Sequence, residues 1–523
     1  MTKTRKPSRS LAFLKWTGIT VVGLAGLALV LNLTTGMHLQ MTGNFMPQLD
    51  FHHEDRHYRA LEAHRNQSGE LAPVAAISEP PESEAEAPSA VAAPELQTDG
   101  AGAAVDPPSK GGDDTLSIAE AKDGSESAQT AEETPAAGSW PYYRGINMDG
   151  RYPEPINTAW PKAGPPELWR VPVGGGYASF VVGHGLAYTI EQRREQEVVA
   201  AYDVMTGVER WTVSWDARFE ESMGGDGPRA TPALHGNTVV ALGATGELRA
   251  LDAETGGEIW STNILEDAGS TNLIWGMAAS PSIMGDAVLT APGGPNGAVI
   301  AYELDTGDLR WRALDAQGAY TAPAVFTLDG LPQIVLIGGD QVISLAIDGS
   351  KTYWTRPWET MNGINAAQPL QVAPDRVFVS SGYGHGAAML EVDADVEANT
   401  ASVSEIWFSN QMKNKFSSSV LHEGYIYGLD EGILACIDPA TGDRVWKGGR
   451  YGHGQILLAS GHLVITTERG HLVLVRATPE SHQELAALPA VPGRTWNNPA
   501  IAEGILLVRN DREAVAYDLR PQT

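Results

Sequence analysis

Apolar and polar residues alternate through short segments that recur along the chain from about residue 139 onward. In RALDAETGGEIW the alternation covers Ala250–Asp252 and resumes over Glu258–Trp260, a period of two that is typical of strands. Between them, Asp252 can accept hydrogen bonds from backbone amides two residues on, and Gly256 can adopt a positive φ without a Cβ penalty. The segment therefore predicts a β-hairpin whose second strand ends on a tryptophan.

The same unit recurs at a regular distance. Its tryptophans, including two in degenerate copies and one that precedes the first copy, are Trp169, Trp211, Trp260, Trp311, Trp354, Trp407 and Trp446. Successive members stand 42, 49, 51, 43, 53 and 39 residues apart. Strand repeats of this length without a helical pattern indicate a propeller. We expect these tryptophans to be structural, each filling the wedge between neighbouring sheets rather than binding a cofactor.

The repeats predict an all-β, eight-bladed propeller of four-stranded blades. The units run approximately over 174–211, 228–260, 276–311, 318–354, 363–407, 413–446, 450–488 and 494–520. The last unit lacks its tryptophan strand, and the strand LWRVPV at 168–173 has no hairpin before it. We therefore expect 168–173 to complete the last blade and to close the ring, which leaves no open edge. Seven blades would require 450–488 to form something else.

The N-terminus predicts a membrane anchor. Basic residues precede the uncharged apolar run Trp16–Leu33, and about 18–20 such residues span a bilayer as a helix. The basic flank predicts that the N-terminus stays cytoplasmic and that the rest lies in the periplasm or outside the cell. A cleaved signal peptide is the alternative, although NLTTGMHLQ contains no clear small-x-small cleavage site.

Two segments separate this anchor from the propeller, giving four predicted regions. These are a cytoplasmic tail and transmembrane helix at 1–36, a juxtamembrane segment at 37–70, an acidic Ala/Pro/Glu/Ser-rich disordered linker at 71–138 and the propeller at 139–523. In the second region, His53 and His57 are four apart and could share a helical face as metal ligands. A charged, solvated helix is the alternative that we favour, because no third ligand follows at a suitable spacing.

Composition narrows the range of partners. The chain carries 64 acidic and 36 basic residues, a formal net charge of −28, which argues against nucleic acid as a partner. Cys436 is the one cysteine, so an intrachain disulfide is excluded, and its strand context predicts a buried small hydrophobe. Nothing in the sequence decides the oligomeric state.

The repeat A-x-D-x-x-T-G-x-x-x-W resembles the pyrroloquinoline quinone (PQQ) repeat of quinoprotein alcohol dehydrogenases. The same resemblance extends to the lipoprotein subunit of the outer-membrane β-barrel assembly machinery. It implies the eight-bladed fold over roughly 138–520 and only weakly implies an activity. The chain departs from the dehydrogenases because it lacks their adjacent cysteines and a haem-attachment C-x-x-C-H motif. Their calcium ligands and their aspartate base cannot be placed in it residue by residue.

The residues that precede the first strand of each blade should line one mouth of the propeller. Large side chains at these positions are Tyr177, Arg229, Trp275, Tyr320, Asn365, Lys415, His453, Arg494 and Trp496. We hypothesise that this basic, aromatic mouth binds a planar or carboxylate-bearing anion, and PQQ with Ca²⁺ would suit such chemistry. The alternative is that the charges pair with Asp226, Glu359 or other loop acids.

Two glycine-rich loops contain His385 and His453, which could be metal ligands if the loops met across the mouth. Incidental histidines in tight turns are the favoured alternative. The interpretation that we favour is a non-catalytic binding or scaffolding domain of the cell envelope, with an envelope protein as its partner. The alternative is a PQQ-dependent alcohol dehydrogenase-like oxidoreductase, so the sequence leaves open whether the chain is an enzyme.

Overall fold

A computed structural model describes residues 34–35, 37–44, 46–67 and 138–522 of the chain. The predicted membrane span at 16–33 lies outside these ranges, and so does the acidic stretch 71–138 apart from Gly138. Within them, no helix is both long and apolar enough to cross a bilayer.

The N-terminal segment consists of a β-hairpin and a helix. Strands β1 (Met37–Met41) and β2 (Pro47–Phe51) pair antiparallel, and helix α1 (Glu54–Gln67) follows. A charged helix is present as predicted, and most of its residues are exposed or partly exposed. Tyr58 and Leu61 are buried against the propeller, and Nε2 of His57 lies 2.8 Å from the carbonyl oxygen of Val173. One face of α1 is therefore a packing surface.

The C-terminal part confirms the eight-bladed, all-β propeller. Two strands precede the first blade, β3 (Arg151–Tyr152) and β4 (Glu167–Pro172). Blade 1 contains β5 (Val181–Gly183), β6 (Leu186–Arg193), β7 (Gln196–Asp203) and β8 (Glu209–Asp216). Blade 2 contains β9 (Ala233–His235), β10 (Thr238–Leu242), β11 (Glu247–Asp252) and β12 (Glu258–Asn263), and the short helix α2 (Ile264–Ala268) follows it.

The next three blades repeat the pattern. Blade 3 contains β13 (Ser282–Met284), β14 (Ala287–Thr290), β15 (Val299–Glu303) and β16 (Leu309–Ala313). Blade 4 contains β17 (Ala324–Leu328), β18 (Leu331–Ile337), β19 (Gln341–Ala346) and β20 (Thr352–Pro357), and a 3₁₀ turn at Met361–Gly363 follows. Blade 5 contains β21 (Leu370–Ala373), β22 (Arg376–Ser381), β23 (Gly386–Asp395) and β24 (Thr400–Ser409).

The last three blades complete the ring. Blade 6 contains β25 (Val420–His422), β26 (Tyr425–Asp430), β27 (Ile433–Ile437) and β28 (Arg444–Arg450). Blade 7 contains β29 (Gln455–Ala459), β30 (His462–Thr466), β31 (His471–Arg476) and β32 (Glu484–Pro489). Blade 8 contains β33 (Ala500–Ala502), β34 (Ile505–Arg509) and β35 (Glu513–Asp518), with β4 as its fourth strand.

The ring closes through residues far apart in the sequence. Strand β4 pairs antiparallel with β35, with Trp169 opposite Ala516, which confirms the predicted closure by 168–173. The degenerate unit at 450–488 is a complete blade, so the seven-bladed alternative is wrong. Strand β3 pairs parallel with β29 as a fifth strand at the inner edge of blade 7.

The recurrent turn follows the expected chemistry. Oδ1 of Asp252 accepts hydrogen bonds from the amides of Glu254 (3.1 Å) and Thr255 (2.8 Å). Gly256 has a φ of 76°, a conformation that costs little only for glycine. The aspartate and the glycine together set the reversal between the third and fourth strands.

The tryptophans connect consecutive blades. The indole Nε1 of Trp211, in blade 1, donates to the carbonyl oxygen of Ala253 in blade 2 at 3.0 Å. Equivalent bonds to the next blade are made by Trp169 to Val204, Trp260 to Leu304, Trp407 to Pro439 and Trp446 to Thr478. Trp354 instead donates to Gln333 of its own blade at 3.0 Å, and the ring of Trp311 lies against the turn at Gly349.

The hydrophobic core lies between the blades. Val199 of blade 1 packs in one cluster with Val239 and Leu251 of blade 2, and similar clusters fill the other interfaces. Cys436 is buried in the cluster between blades 6 and 7, as predicted. Each blade therefore packs both of its faces against neighbouring blades. The first strands of the blades surround the propeller axis.

Candidate functional site

A cavity of about 170 Å³ lies at one end of the propeller axis. We call this end the mouth. It is lined by residues that precede the first strand of successive blades, as expected for a propeller. Six of the nine residues predicted for the mouth line it, namely Tyr177, Arg229, Trp275, Tyr320, Lys415 and Trp496. Aromatic rings therefore form much of the wall, and cationic groups stand among them.

Arg229 bonds main-chain oxygens instead of acids. Its Nη1 and Nη2 donate to the carbonyl oxygens of Gly227 and Gly225, each at 2.5 Å, and its guanidinium lies over the rings of Tyr177 and Phe219. Burial lowers the pKa of Arg229 below its ordinary value. The guanidinium is therefore held by carbonyl groups and ring faces, and the charges of Glu221 and Asp226 oppose the effect of burial.

Arg494 stands beside the same tyrosine. Its Nη2 donates to the hydroxyl of Tyr177, and its guanidinium lies over the ring of Trp496 at 4.3 Å. Burial raises the pKa of Tyr177 to about 12, against the lowering effect of Arg494 and Arg229. Among the described residues neither arginine forms an ion pair with a carboxylate, but the charges of Glu221 and Asp226 raise the pKa of Arg229, so pairing with loop acids stays an alternative.

The mouth holds the tip of the N-terminal hairpin. Gly43 is buried there, and Thr42 and Gly43 complete the cavity wall. Nζ of Lys415 donates to the carbonyl oxygen of Gly43, and Nη1 of Arg494 donates to that of Met41 at 2.9 Å. Two cations predicted to bind an anion thus bind peptide carbonyl groups.

A carboxylate completes the recognition of the hairpin tip. Oε1 of Glu468 accepts hydrogen bonds from the amide of Gly43 and from Nε1 of Trp496, the latter at 3.2 Å. Burial lowers the pKa of Lys415, and Glu431 and Glu468 oppose that shift. Cationic side chains therefore bind carbonyl oxygens of the hairpin tip, and an anionic side chain binds one of its amides.

Two further residues predicted for the mouth, His453 and Asn365, do not line the cavity. Nε2 of His453 lies 2.8 Å from Oδ1 of Asn44, beside the cavity, and burial lowers the pKa of His453. Asn365 is buried away from the cavity wall, where its amide donates to the carbonyl oxygen of Gly338 at 2.9 Å. The expectation that Asn365 lines the mouth is therefore wrong.

The histidines do not assemble into a metal site. His385 packs against Trp358, with ring centroids 4.5 Å apart, whereas His453 packs against Phe416. No group of three or more His, Cys, Asp or Glu side chains in the described ranges is placed to hold a metal ion. His385 and His453 therefore lie in separate packing environments.

Several residues of the cavity wall were not predicted from the sequence. Tyr383 and Phe416 line the cavity, as does Tyr143. Tyr383 lies in the glycine-rich loop SGYGHG, and Phe416 directly follows Lys415, so both were detectable as aromatics next to predicted mouth positions. Gly43 carried no comparable signal, because its place depends on a contact with residues about 400 positions away.

The donor set suits part of the chemistry that the quinoprotein resemblance implies. Arg229, Lys415 and Arg494 could bind the carboxylates of PQQ, and the aromatic rings could pack on its plane. A calcium ion requires several oxygen ligands, carboxylates above all, and the residues lining the cavity in the described ranges include no carboxylate. The residues present do not fit the calcium ion.

Comparisons with known proteins point in two directions. A family model described as "Outer membrane protein assembly factor BamB" matches residues 194–448. The chain is 21% identical over 354 residues to the outer membrane protein assembly factor BamB of Bordetella pertussis. The alignment covers 59% of this chain and 86% of that protein. The chain is 31% identical over 156 residues to the quinohemoprotein alcohol dehydrogenase of Comamonas testosteroni, which covers 28% of this chain and 21% of that protein.

A solved structure agrees with the architecture. The crystal structure of the Comamonas testosteroni quinohemoprotein alcohol dehydrogenase matches with a TM-score of 0.53 and 15% identity, over 75% of this chain and 83% of that one. At this identity the likeness shows the fold alone. The two relatives differ in what their names describe, an assembly factor and a dehydrogenase.

Proposed function

Because the chain is a β-propeller built from PQQ-like repeats, we propose that it is a non-catalytic binding or scaffolding protein of the cell envelope. In this proposal residues 1–36 form a cytoplasmic tail and a membrane-spanning helix, and 37–70 follow outside the membrane. Residues 71–138 are the linker, and 139–523 form a propeller in the periplasm or extracytoplasmic space that holds a protein partner.

The observation that carries the proposal is the way the mouth binds a peptide. Lys415 and Arg494 donate to carbonyl oxygens of the N-terminal hairpin, and Glu468 accepts from the amide of Gly43. Main-chain groups are common to all polypeptides, so donors and an acceptor placed for them favour a protein ligand over a small anion. A site that already binds the main chain of one polypeptide turn suits the binding of another polypeptide.

The similarity to an outer membrane protein assembly factor supports the same proposal. Its name describes work on other proteins, and this chain covers 86% of its length. The donor set also favours binding over catalysis. The described residues of the cavity wall include no carboxylate to hold the calcium ion that the dehydrogenase resemblance implies.

Photo-crosslinking of the full chain in membranes tests the proposal. A p-benzoylphenylalanine at Met223, which lines the cavity and is 38% exposed, should capture one specific envelope protein that mass spectrometry identifies. Replacing Lys415 and Arg494 with alanine together should abolish the capture. The matched control removes two arginines at the opposite end of the blades, Arg310 and Arg520, and should leave the capture unchanged. Capture by neither the native chain nor the control contradicts the proposal.

A PQQ-dependent dehydrogenase is the second candidate, favoured by the cations and aromatic rings around the cavity. Calorimetric titration of the detergent-purified full chain with PQQ, with and without calcium, tests it. One-to-one binding at micromolar affinity or better would favour the dehydrogenase and justify a screen of alcohols. No heat and no shift in melting temperature at saturating PQQ would reject it.

A further inference from the structure

The N-terminal hairpin is amphipathic, with its apolar face directed away from the protein. Its register pairs Met37 with Phe51, Leu39 with Leu49 and Met41 with Pro47. Side chains alternate between the two faces of a hairpin, so these six residues share one face, which we call the outer face. The other face carries Gln40, Gln48 and Asp50.

The polar face contacts the propeller through Asp50. Asp50 forms an ion pair with Arg512, next to blade 8. On the outer face Leu39 is 67%, Leu49 56% and Phe51 63% exposed, and Met37 and Met41 are partly exposed. Met46, in the connecting turn, is 64% exposed. A hairpin on the surface of a protein in water normally directs its apolar side chains inward, so this orientation is inverted.

Exposed apolar side chains that form one contiguous face indicate an interaction surface. The outer face carries no charged residue, in a chain whose net charge is −28. An acidic protein surface is repelled by anionic lipid headgroups. The outer face is therefore a part of this molecule that can approach a bilayer without that repulsion.

The position of the hairpin in the chain identifies what covers the outer face. The apolar run predicted to span the membrane ends at Leu33, and β1 begins at Met37. Four residues reach at most about 14 Å when fully extended. If residues 16–33 span a bilayer, the hairpin is thus held at the surface of that bilayer, which favours lipid over a second copy of the chain or another protein.

We propose that the outer face of the hairpin lies in the interfacial layer of the membrane, so that the mouth of the propeller faces the bilayer. The inference rests on the membrane anchor of the proposed function. It follows that the rims of the blades point sideways along the membrane and that a ligand enters the cavity from the membrane side, past the hairpin tip.

Fluorescence quenching by lipids tests this orientation. The full chain is reconstituted into vesicles of phosphatidylethanolamine and phosphatidylglycerol that contain spin-labelled lipid. A fluorophore (NBD) is attached to Leu49→Cys on the outer face, or to the adjacent Gln48→Cys on the polar face. A third site, Met205→Cys, is 47% exposed in the turn before β8, at the end of the blade opposite the mouth. The native Cys436 is buried, and burial raises its pKa to about 12, so it stays unlabelled.

We expect lipid to quench the probe at position 49 at least threefold more strongly than the probes at 48 and 205, with a blue-shifted emission at 49. Equal quenching at 49 and 48 in a chain that resists extraction by alkaline carbonate would overturn this inference and leave the anchor intact. Extraction of the chain by carbonate would overturn the anchor and the inference together. A blue shift at 49 without quenching would show that protein covers the outer face, and would also overturn the inference.

Discussion

Gly256 in blade 2 lies directly on the indole of Trp211 in blade 1. A Cβ built on Gly256 would stand 2.7 Å from Cε3 of that ring. The same relationship joins Gly207 to Trp169, Gly307 to Trp260, Gly349 to Trp311 and Gly442 to Trp407. The turn glycine of one blade, preceded by threonine in every pair except Gly349, and the tryptophan of the blade before it thus form one packing unit, which explains why both recur together in the sequence.

Replacing Gly256 with alanine should loosen this interface. The variant must adopt a positive φ, at about 1 kcal/mol, and must also displace the indole of Trp211, at about 1–3 kcal/mol more. The matched control is Gly285→Ala, where φ is 58° and no atom lies within 4 Å of the added Cβ. Urea unfolding should give a loss of about 2–4 kcal/mol for the first and about 1 kcal/mol for the second. Equal losses would show that the contact with Trp211 contributes nothing.

The aspartate of the same turn should contribute through its hydrogen bonds. Asp252 accepts bonds from Glu254 and from the amide and hydroxyl of Thr255. Partial burial raises the pKa of Asp252, but these bonds lower it by a larger amount, so the net shift is downward. Asp252→Ala should therefore cost about 1–2 kcal/mol at neutral pH, measured by urea unfolding.

The sign of its pH dependence follows from that lowered pKa. The contribution is fully present above the ordinary pKa of an aspartate and is lost as the pH falls through the lower, native value. The difference between the native chain and Asp252→Ala should accordingly shrink in acid. Asp252→Asn keeps the Oδ1 acceptor and should lose less than alanine does; an equal loss would mean that the charge carries the whole effect.

A buried carboxyl between blades 1 and 2 should make stability depend on pH in the opposite direction. Burial raises the pKa of Glu197 to about 7, although the bond from the amide of Ala244 (2.8 Å) lowers it. Between about pH 4.5 and 7 the native state keeps this proton and the unfolded state loses it, so stability falls as the pH rises through that range. The fall amounts to about 3 kcal/mol.

Glu197→Gln retains an oxygen acceptor for Ala244 and cannot ionise. We expect it to match the native chain near pH 4.5 and to be up to about 3 kcal/mol more stable above pH 7, as measured by urea unfolding at several pH values. Glu195→Gln, whose side chain is 77% exposed, is the control and should show no such divergence. A constant difference between Glu197→Gln and the native chain across this range would contradict the assignment.

The repeat could be predicted from the sequence because its determinants are local. The Asp252 bonds and the φ of Gly256 involve residues within four positions of each other, and the alternating strands carry their own period. Closure by β4 was also predictable, because a strand without a hairpin and a hairpin without its last strand complement each other. The position of most mouth residues could be predicted from these elements, because these residues precede the first strands of the blades.

What the sequence could not predict depends on contacts between distant residues. Asn365 occupies a position like those of Arg229 and Lys415, yet its short amide turns to the backbone at Gly338. Gly43 has no local pattern that distinguishes it, and only its contact with His453 explains why a glycine is needed there. Strand β3 is two residues long, too short for a periodicity to be recognised.

The hairpin tip should leave the mouth when Gly43 acquires a side chain. A Cβ on Gly43 would stand 2.3 Å from Cδ2 of His453 and 2.9 Å from its Cβ, and a histidine Cβ cannot move away without its backbone. Gly43→Val should therefore break the bonds of Gly43 with Lys415 and Glu468. Hydrogen–deuterium exchange of the full chain should then show exchange over 37–51 that is at least tenfold faster than in the native chain.

The control for this experiment lies on the same hairpin. Gln48→Val adds the same branched side chain at an exposed position of β2, and exchange over 37–51 should remain native. Helix α1 should keep its protection in both variants, because Tyr58 and Leu61 are buried independently of the tip. Native exchange in Gly43→Val would mean that the mouth accommodates the extra volume, and the steric account of Gly43 would then be wrong. Fast exchange in both variants would instead show that the hairpin, not its tip, sets the protection.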